Sequence, residues 1–532
     1  MTSTALSRLA TGALVLVFLV FAAVLVRTAW LCDDAYITFR TIDNWAEGFG
    51  LRWNVAERVQ SYTHPLWMLL LAGVHAFTGE LYWTPLVVSL AVSMAAGAVL
   101  ALRVAGSHGA ALAGLAVLIG SRAFVDFSSS GLENPLVHLL LFLFVLALVQ
   151  DWRAWQIGLL VSGLMLLRTD LALLLAPGVF VWLAPSGGRW DRTRGFLHGL
   201  TPLFLWHLFA LGYYGFLVPN TAYAKLNTGI DAGRLWAHGL VYLGESLRFD
   251  PLTLGTVAAG TLASLVLGRR ERALALGTLL YLGYVVSIGG DFMSGRFLTP
   301  SFAVALALLL RALPQVRESR RYVCALAALA LGFLAPYPSL TSGADYGAER
   351  GNDFHDLRAA ADQIIGADGI SDERAWHFAL TGMVNVRREE GHFVLPLEGH
   401  PKYIEIQRLK QGGEKVLVTG AIGLRGYFLG TDVYFIDQNA LSDPLLARLT
   451  VANPGDWRIS HFRRPIPCGY QESVAGDTNR LRDPGLARVY DALRLVTRGA
   501  LFDAARWREI WRLNTGFYAR ELAGYVNDEG CP

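Results

Sequence analysis

Two adjacent carboxylates, Asp33 and Asp34, follow the first long apolar run of the chain. Side by side they repel one another, and such a pair persists where it takes a proton, binds a cation or meets a positive partner. A helix over 34–47 with Asp33 as its N-cap accounts for one aspartate and leaves the other over. Tyr36, Arg40, Asn44, Arg58 and His64 follow closely. Other reactive groups are sparse. Glu133 sits in Ser128–Asn134 (SSSGLEN), ahead of a helix beginning at Pro135. Arg168 and Asp170 interrupt an apolar run from 156 to 184, either as a tight hairpin closed by a salt bridge or as a functional pair. Pro219–Asn227 (PNTAYAKLN) holds Tyr223 and Lys225, and Gly289–Arg296 (GGDFMSGR) holds Asp291 and Arg296. Ionisable groups at membrane edges are costly and default to functional candidates.

The elements that must position these groups are mostly apolar. Of 532 residues, 53% are hydrophobic and 17% charged, and mean hydropathy is +0.38. A soluble domain carries about 25% charged residues, so a purely soluble protein is excluded. Net charge is +3, which gives no bulk basic surface and no nucleic-acid partner. Four cysteines exclude a disulfide-rich scaffold, and their spacing suggests no zinc site.

Apolar runs fill residues 9–336, whereas 337–532 read as globular sequence. The expected architecture is a polytopic α-helical membrane protein with a C-terminal extracytoplasmic α/β domain. About 11 transmembrane helices are expected, near 9–27, 84–103, 110–125, 135–150, 156–168, 170–184, 196–216, 251–268, 273–288, 298–313 and 321–337. Residues 1–336 then form the membrane domain, with a first outer loop at 28–83, and residues 337–532 the outer domain. Arginine-rich loops at 185–195, 268–272 and 311–321 share one face, which is cytoplasmic together with the N-terminus. The short apolar stretch Pro65–Phe77 is expected to lie in the outer interface. In the outer domain Lys415–Thr419 and Val433–Ile436 read as strands, with helical candidates at Ala421–Phe428 and Ser442–Leu449. Cys468 and Cys531 are a candidate disulfide in an oxidising compartment.

The candidate groups therefore gather outside the plasma membrane, where neither ATP nor nucleotide sugars are at hand. The glycines of GAIGLRG (Gly420, Gly423, Gly426) lack the opening of a dinucleotide fingerprint. An energised donor must then arrive through the bilayer, and a lipid-linked sugar meets that need. Glycosyl transfer calls for a carboxylate near the acceptor hydroxyl and cations for the departing phosphate. Asp33 and Asp34 suit the first role; Lys225, Arg168 or Arg296 suit the second. A divalent cation, Mg or Mn, held by Asp33 and Asp34 is the alternative phosphate clamp.

Several strings carry a resemblance. Cys32–Arg40 (CDDAYITFR), Gly48–Val59 (GFGLRWNVAERV), Ser129–Glu133 (SSGLE) and Gly289–Arg296 resemble the mycobacterial terminal β-(1→2)-arabinofuranosyltransferase family. Gly423–Tyr427 (GLRGY), Asp443–Leu449 (DPLLARL) and Trp457–Phe462 (WRISHF) resemble that family's outer domain. The wider class is the membrane glycosyltransferases of the C-type fold, in which two juxtamembrane helices of the first outer loop help build the active site. The resemblance implies Asp33 and Asp34 as catalytic positions and a polyprenyl-phosphate D-arabinofuranose donor. The expected donor-phosphate or sugar ligands are Arg40, His64, Arg168, Asp170, Tyr223, Lys225, Asp291 and Arg296, with Glu133 on the acceptor side. The acceptor is a cell-surface polysaccharide, or a glycoprotein such as pilin if the chain departs from the family. Ala-Tyr-Ile after the acidic pair, His64–Pro65 and a shorter chain are such departures. Another lipid-linked sugar is the nearest rival within the class. A transporter or flippase with a periplasmic cap is the rival outside it, against which stand the absence of an internal repeat and the one-sided polar residues.

Overall fold

The computed structural model describes residues 3–184, 189–226, 228–348, 363–390 and 392–525. The chain is mostly helical and divides into two compact units. The first comprises Met1–Cys32, Leu69–Leu203 and Ala232–His400; the second comprises Asp33–Met68, Phe204–Asp231 and Pro401–Pro532.

In the first unit, helices pack in pairs, among them His108–Gly120 with Glu318–Phe333, and Pro251–Ala263 with Thr299–Ala312. Backbone approach in the second pair is so close that a Cβ on Gly260 would lie 2.0 Å from the Ala305 carbonyl oxygen. Small residues allow this contact between apolar helices. Among the described residues, three helices are long and apolar enough to cross a membrane: Leu9–Arg27, Trp83–Val104 and Arg296–Gln315. Two bent helix pairs raise the number to five, one of them Ala232–Phe249 with Pro251–Val266, broken by 107°. Five shorter apolar helices, Pro65–Thr78 among them, accompany these. Outward-facing Leu16, Leu19, Leu262 and Leu326 suit a lipid environment.

Residues 337–400, expected in the outer domain, belong to this first unit. Several contacts hold them, two sets of which bear on the polar groups. The Ser371 amide donates to Phe292 O at 2.7 Å and the Ser294 amide to Ser371 O at 3.0 Å. A buried charge quartet supplies the second set: Arg374 Nη1 meets Asp126 Oδ1 at 2.6 Å, while Arg122 pairs with both Asp126 and Asp372.

The second unit is built on a strand–helix–strand. Val416–Thr419 and Tyr434–Asp437 pair in parallel, Val416 opposite Tyr434 and Thr419 opposite Asp437. Branched and aromatic side chains favour both strands, and helix Leu424–Leu429 makes the crossover. Against it packs the amphipathic helix Asp33–Ala46, so that Ile37 and Trp53 share a core with Ile406, Ile422, Leu429, Val433 and Phe435. A second core gathers Leu445, Leu446 and Tyr470 with Leu486, Val489, Leu493 and Val496 of helix Pro484–Arg498. Asp483 caps that helix by accepting from the Leu486 amide at 2.6 Å. The expected helix over 442–449 is only the 3₁₀ turn Leu446–Arg448. Cys468 is disulfide-bonded, and its proposed partner Cys531 lies outside the described residues.

Asp443 is fully buried at the head of that turn. Its Oδ1 accepts from the Leu445 and Leu446 amides at 3.0 and 2.8 Å, and the Tyr470 hydroxyl donates to Oδ2 at 2.8 Å. Burial, and then the nearby Glu57 carboxylate, outweigh those donors and push its carboxyl up to about 8. A carboxyl raised in the fold stabilises it below its unfolded pKa of about 3.9, and that stability is lost as pH rises through about 8. Asp443→Asn should therefore flatten the decline in thermal unfolding midpoint between pH 5 and pH 8. An unchanged pH dependence would count against the assignment.

Candidate active site

Asp33 opens the helix Asp33–Ala46 of the second unit. Its Oδ1 accepts from the Leu424 amide at 3.0 Å and from Lys402 Nζ at 3.4 Å. The approach requires glycine at 423, because a Cβ there would lie 2.0 Å from the Asp33 carbonyl oxygen. One aspartate is thus held by an ammonium and a backbone donor from the C-terminal segment. Asp34 stands beside it in the first turn, half-buried. Both carboxylates sit at the positive end of the helix dipole, which stabilises their charge.

Arg40 was expected to bind the donor, and here the expectation needs correction. Its guanidinium is buried and donates to the carbonyl oxygens of Trp53 (2.9 Å), Val433 (3.0 Å) and Gly426. Its carbon lies 4.3 Å from the Trp53 ring centroid and 4.8 Å from that of Phe435. Burial pushes its pKa down to about 9, leaving it charged at neutral pH. Arg40 is a staple between helix and strands, with no surface left for a substrate. His64 Nε2 lies 2.9 Å from the Thr38 hydroxyl.

Helix Asn220–Leu226 carries Tyr223 and Lys225 in the same unit. Asn220 fixes it, donating through Nδ2 to the carbonyls of Ala440 (2.9 Å) and Asp443 (3.0 Å). Tyr223 packs under the Arg448 guanidinium at 4.6 Å. Lys225 is half-buried and makes no ion pair among the described residues.

Glu133, Arg168, Asp170, Asp291 and Arg296 come together in the first unit. Glu133 Oε1 receives both arginines, Arg168 Nη1 at 3.4 Å and Arg296 Nη2 at 3.2 Å. Asp170 clasps Arg168 through two bonds, Nη2–Oδ2 at 2.6 Å and Nε–Oδ1 at 3.2 Å. Asp291 Oδ2 lies 3.8 Å from Arg296 Nη1. The Arg168 guanidinium also stacks on Phe297 at 4.2 Å and reaches the Tyr281 hydroxyl at 3.3 Å. All but Asp170 are buried.

Each member comes from a helix end. Glu133 precedes Asn134–Val149, Arg168 breaks the run between Leu167 and Thr169, and Arg296 opens the segment to Gln315. The break at Arg168–Asp170 falls where the charges interrupt the apolar run. Three carboxylates against two guanidiniums leave the cluster formally negative. It holds its arginines in place more readily than it attracts a free phosphate. Sequence reasoning missed Lys402, Tyr281 and the Arg122–Asp126–Asp372–Arg374 quartet. The i,i+4 pair Arg122–Asp126 in apolar surroundings was the one local signal for the last of these. Among the described residues, no group of three or more His, Cys, Asp or Glu side chains is gathered to hold a metal ion.

Fold and site together define a helical membrane protein whose polar constellations are built at helix ends. Among curated proteins, the chain is similar to the terminal β-(1→2)-arabinofuranosyltransferase of Mycobacterium tuberculosis, 26% identical over 521 aligned residues, covering 82% of this chain and 81% of that protein. It is also similar to the protein of the same name from Corynebacterium glutamicum, 30% identical over 341 residues, 52% of this chain and 47% of that protein. The chain thus matches about half the length of the corynebacterial relative. No family model matches, and no solved structure matches.

Glu133 is the acceptor common to two buried guanidiniums, and breaking a buried ion pair by removing one partner costs about 3–5 kcal/mol. Glu133→Gln should therefore lower the thermal unfolding midpoint by several degrees. A midpoint equal to that of the parent chain would mean that Glu133 does not neutralise the two arginines.

Proposed function

We propose that this chain is a membrane glycosyltransferase that moves D-arabinofuranose from a polyprenyl-phosphate donor onto a cell-surface glycan. The observation that carries the reading is the similarity to an arabinofuranosyltransferase over 82% of the chain. The acidic pair supplies the chemistry: a carboxylate near the acceptor hydroxyl takes its proton as the glycosidic bond forms. Lys402 beside Asp33 holds that carboxylate in its orientation. Lys225 is the donor-phosphate ligand, since its ammonium is not already spent on a carboxylate.

Reaction takes place at the outer face of the bacterial plasma membrane. The shorter apolar helices other than Pro65–Thr78, which lies in the outer interface, complete their crossings through flanking residues, giving about 11 spans with the arginine-rich loops and the N-terminus inside. A divalent ion at Asp33 and Asp34 would draw further oxygens from water and donor phosphate. The Lys402 ammonium competes for that place, so transfer should continue in EDTA.

The test is a panel of polyprenyl-phosphate sugars offered to the purified full chain with a furanoside acceptor. Arabinofuranose should be transferred, and Lys225→Met should raise the donor KM about tenfold or more, the worth of one charge-assisted bond. Transfer of a different sugar alone would overturn the substrate assignment. An unchanged donor KM in Lys225→Met would overturn the role of Lys225.

A further inference from the structure

A cavity of about 600 Å³ lies within the first unit, in the middle of the roughly 300–1,000 Å³ range of ligand pockets. Its walls come from helix ends and the segments beside them: Glu245, Arg248 and Phe249 end the helix Ala232–Phe249, Tyr337 follows Glu318–Phe333, and Asp368 belongs to 363–372. The Arg122–Asp372 ion pair forms part of the floor.

The wall chemistry discriminates among ligands. Three carboxylates (Glu245, Asp368, Asp372) face two guanidiniums (Arg122, Arg248), so the cavity is formally negative. Arg122 is already bound by Asp126 and Asp372. A phosphate would meet net repulsion. A prenyl chain would strip water from Glu245, Arg248 and Asp368 without compensation. A neutral polyhydroxylated chain fits both constraints: its hydroxyls donate to carboxylates and accept from Arg248. The parallel rings of Phe249 and Tyr337, 6.3 Å apart and tilted by 12°, offer an apolar wall for its C–H groups.

The cavity also adjoins the ionic cluster. Tyr242 and Glu245 are three residues apart on one helix face. The Tyr242 hydroxyl donates to Met293 O at 3.1 Å and accepts from the Phe297 amide at 3.2 Å, holding the turn that carries Asp291 and Arg296. Ser294 of the same turn lines the cavity.

We propose that this cavity, lined by Glu245, Arg248, Phe249, Tyr337 and Asp368, binds the neutral glycan acceptor, several sugar residues of it at once. The assignment rests on the glycosyltransferase reading and adds the site and charge preference of the acceptor. Glu245 and Arg248 are partly or fully exposed, so Glu245→Gln and Arg248→Met should fold, which the unfolding midpoint checks.

Binding of a synthetic arabinofuranosyl oligosaccharide to the full chain in detergent is read by saturation-transfer NMR, and transfer kinetics are read separately. Both variants should lose the NMR effect and raise the acceptor KM about tenfold, as for one charge-assisted hydrogen bond, while the donor KM stays within twofold. Millimolar pyrophosphate should not displace the oligosaccharide. Parent-like NMR effects and acceptor KM in both variants would overturn the proposal, as would displacement by pyrophosphate. A parent chain that binds the oligosaccharide but transfers nothing would count against the enzyme reading and leave the cavity assignment standing.

Discussion

Arg40 donates to carbonyls of Trp53, Gly426 and Val433, and the position of the acidic pair depends on that contact. The helix that starts at Asp33 is clamped to the strand–helix–strand two turns beyond its head. Leu424 and Lys402 grip its first carboxylate at the other end. A guanidinium buried this deeply costs desolvation that only satisfied donors offset. Helix, strands and clamp therefore stand or fall as one, and Asp33 and Asp34 inherit a fixed orientation.

The same economy of charge governs the first unit. In an apolar bundle, each arginine must bring its own counter-charge. Glu133, Asp170 and Asp291 neutralise Arg168 and Arg296, and Asp126 and Asp372 neutralise Arg122 and Arg374. These networks fix helix ends that propensity alone would leave frayed. Lys225, half-buried and without an ion pair among the described residues, stands apart from these networks.

Local signals were legible in the sequence. The interruption of an apolar run by Arg168 and Asp170 marks a helix break, and the branched and aromatic runs at 415–419 and 433–436 mark paired strands. A helix at the acidic pair was legible from Asp33 as an N-cap, expected over 34–47 and found as Asp33–Ala46. Long-range choices were hidden. Nothing in residues 33–68 announces that they share a unit with the segment from Pro401 onward, because two of the three partners of Arg40 are backbone carbonyls nearly 400 positions away. For the same reason Arg40 looked like a phosphate ligand: a guanidinium spent on carbonyls and one awaiting a substrate read alike in a sequence. The candidate positions around Glu133 were legible as isolated charges, whereas their joining through one carboxylate oxygen was not.

The central claim is that the acidic pair at the head of this helix carries the transfer chemistry. Single-turnover transfer from a synthetic polyprenyl-phosphate arabinofuranose, compared among the parent chain, Asp33→Asn and Asp34→Asn, tests it most directly. At least one variant should fold with a parent-like unfolding midpoint and lose about 10²-fold or more in rate, the usual contribution of a positioned general base. Parent-like rates in both folded variants would contradict it.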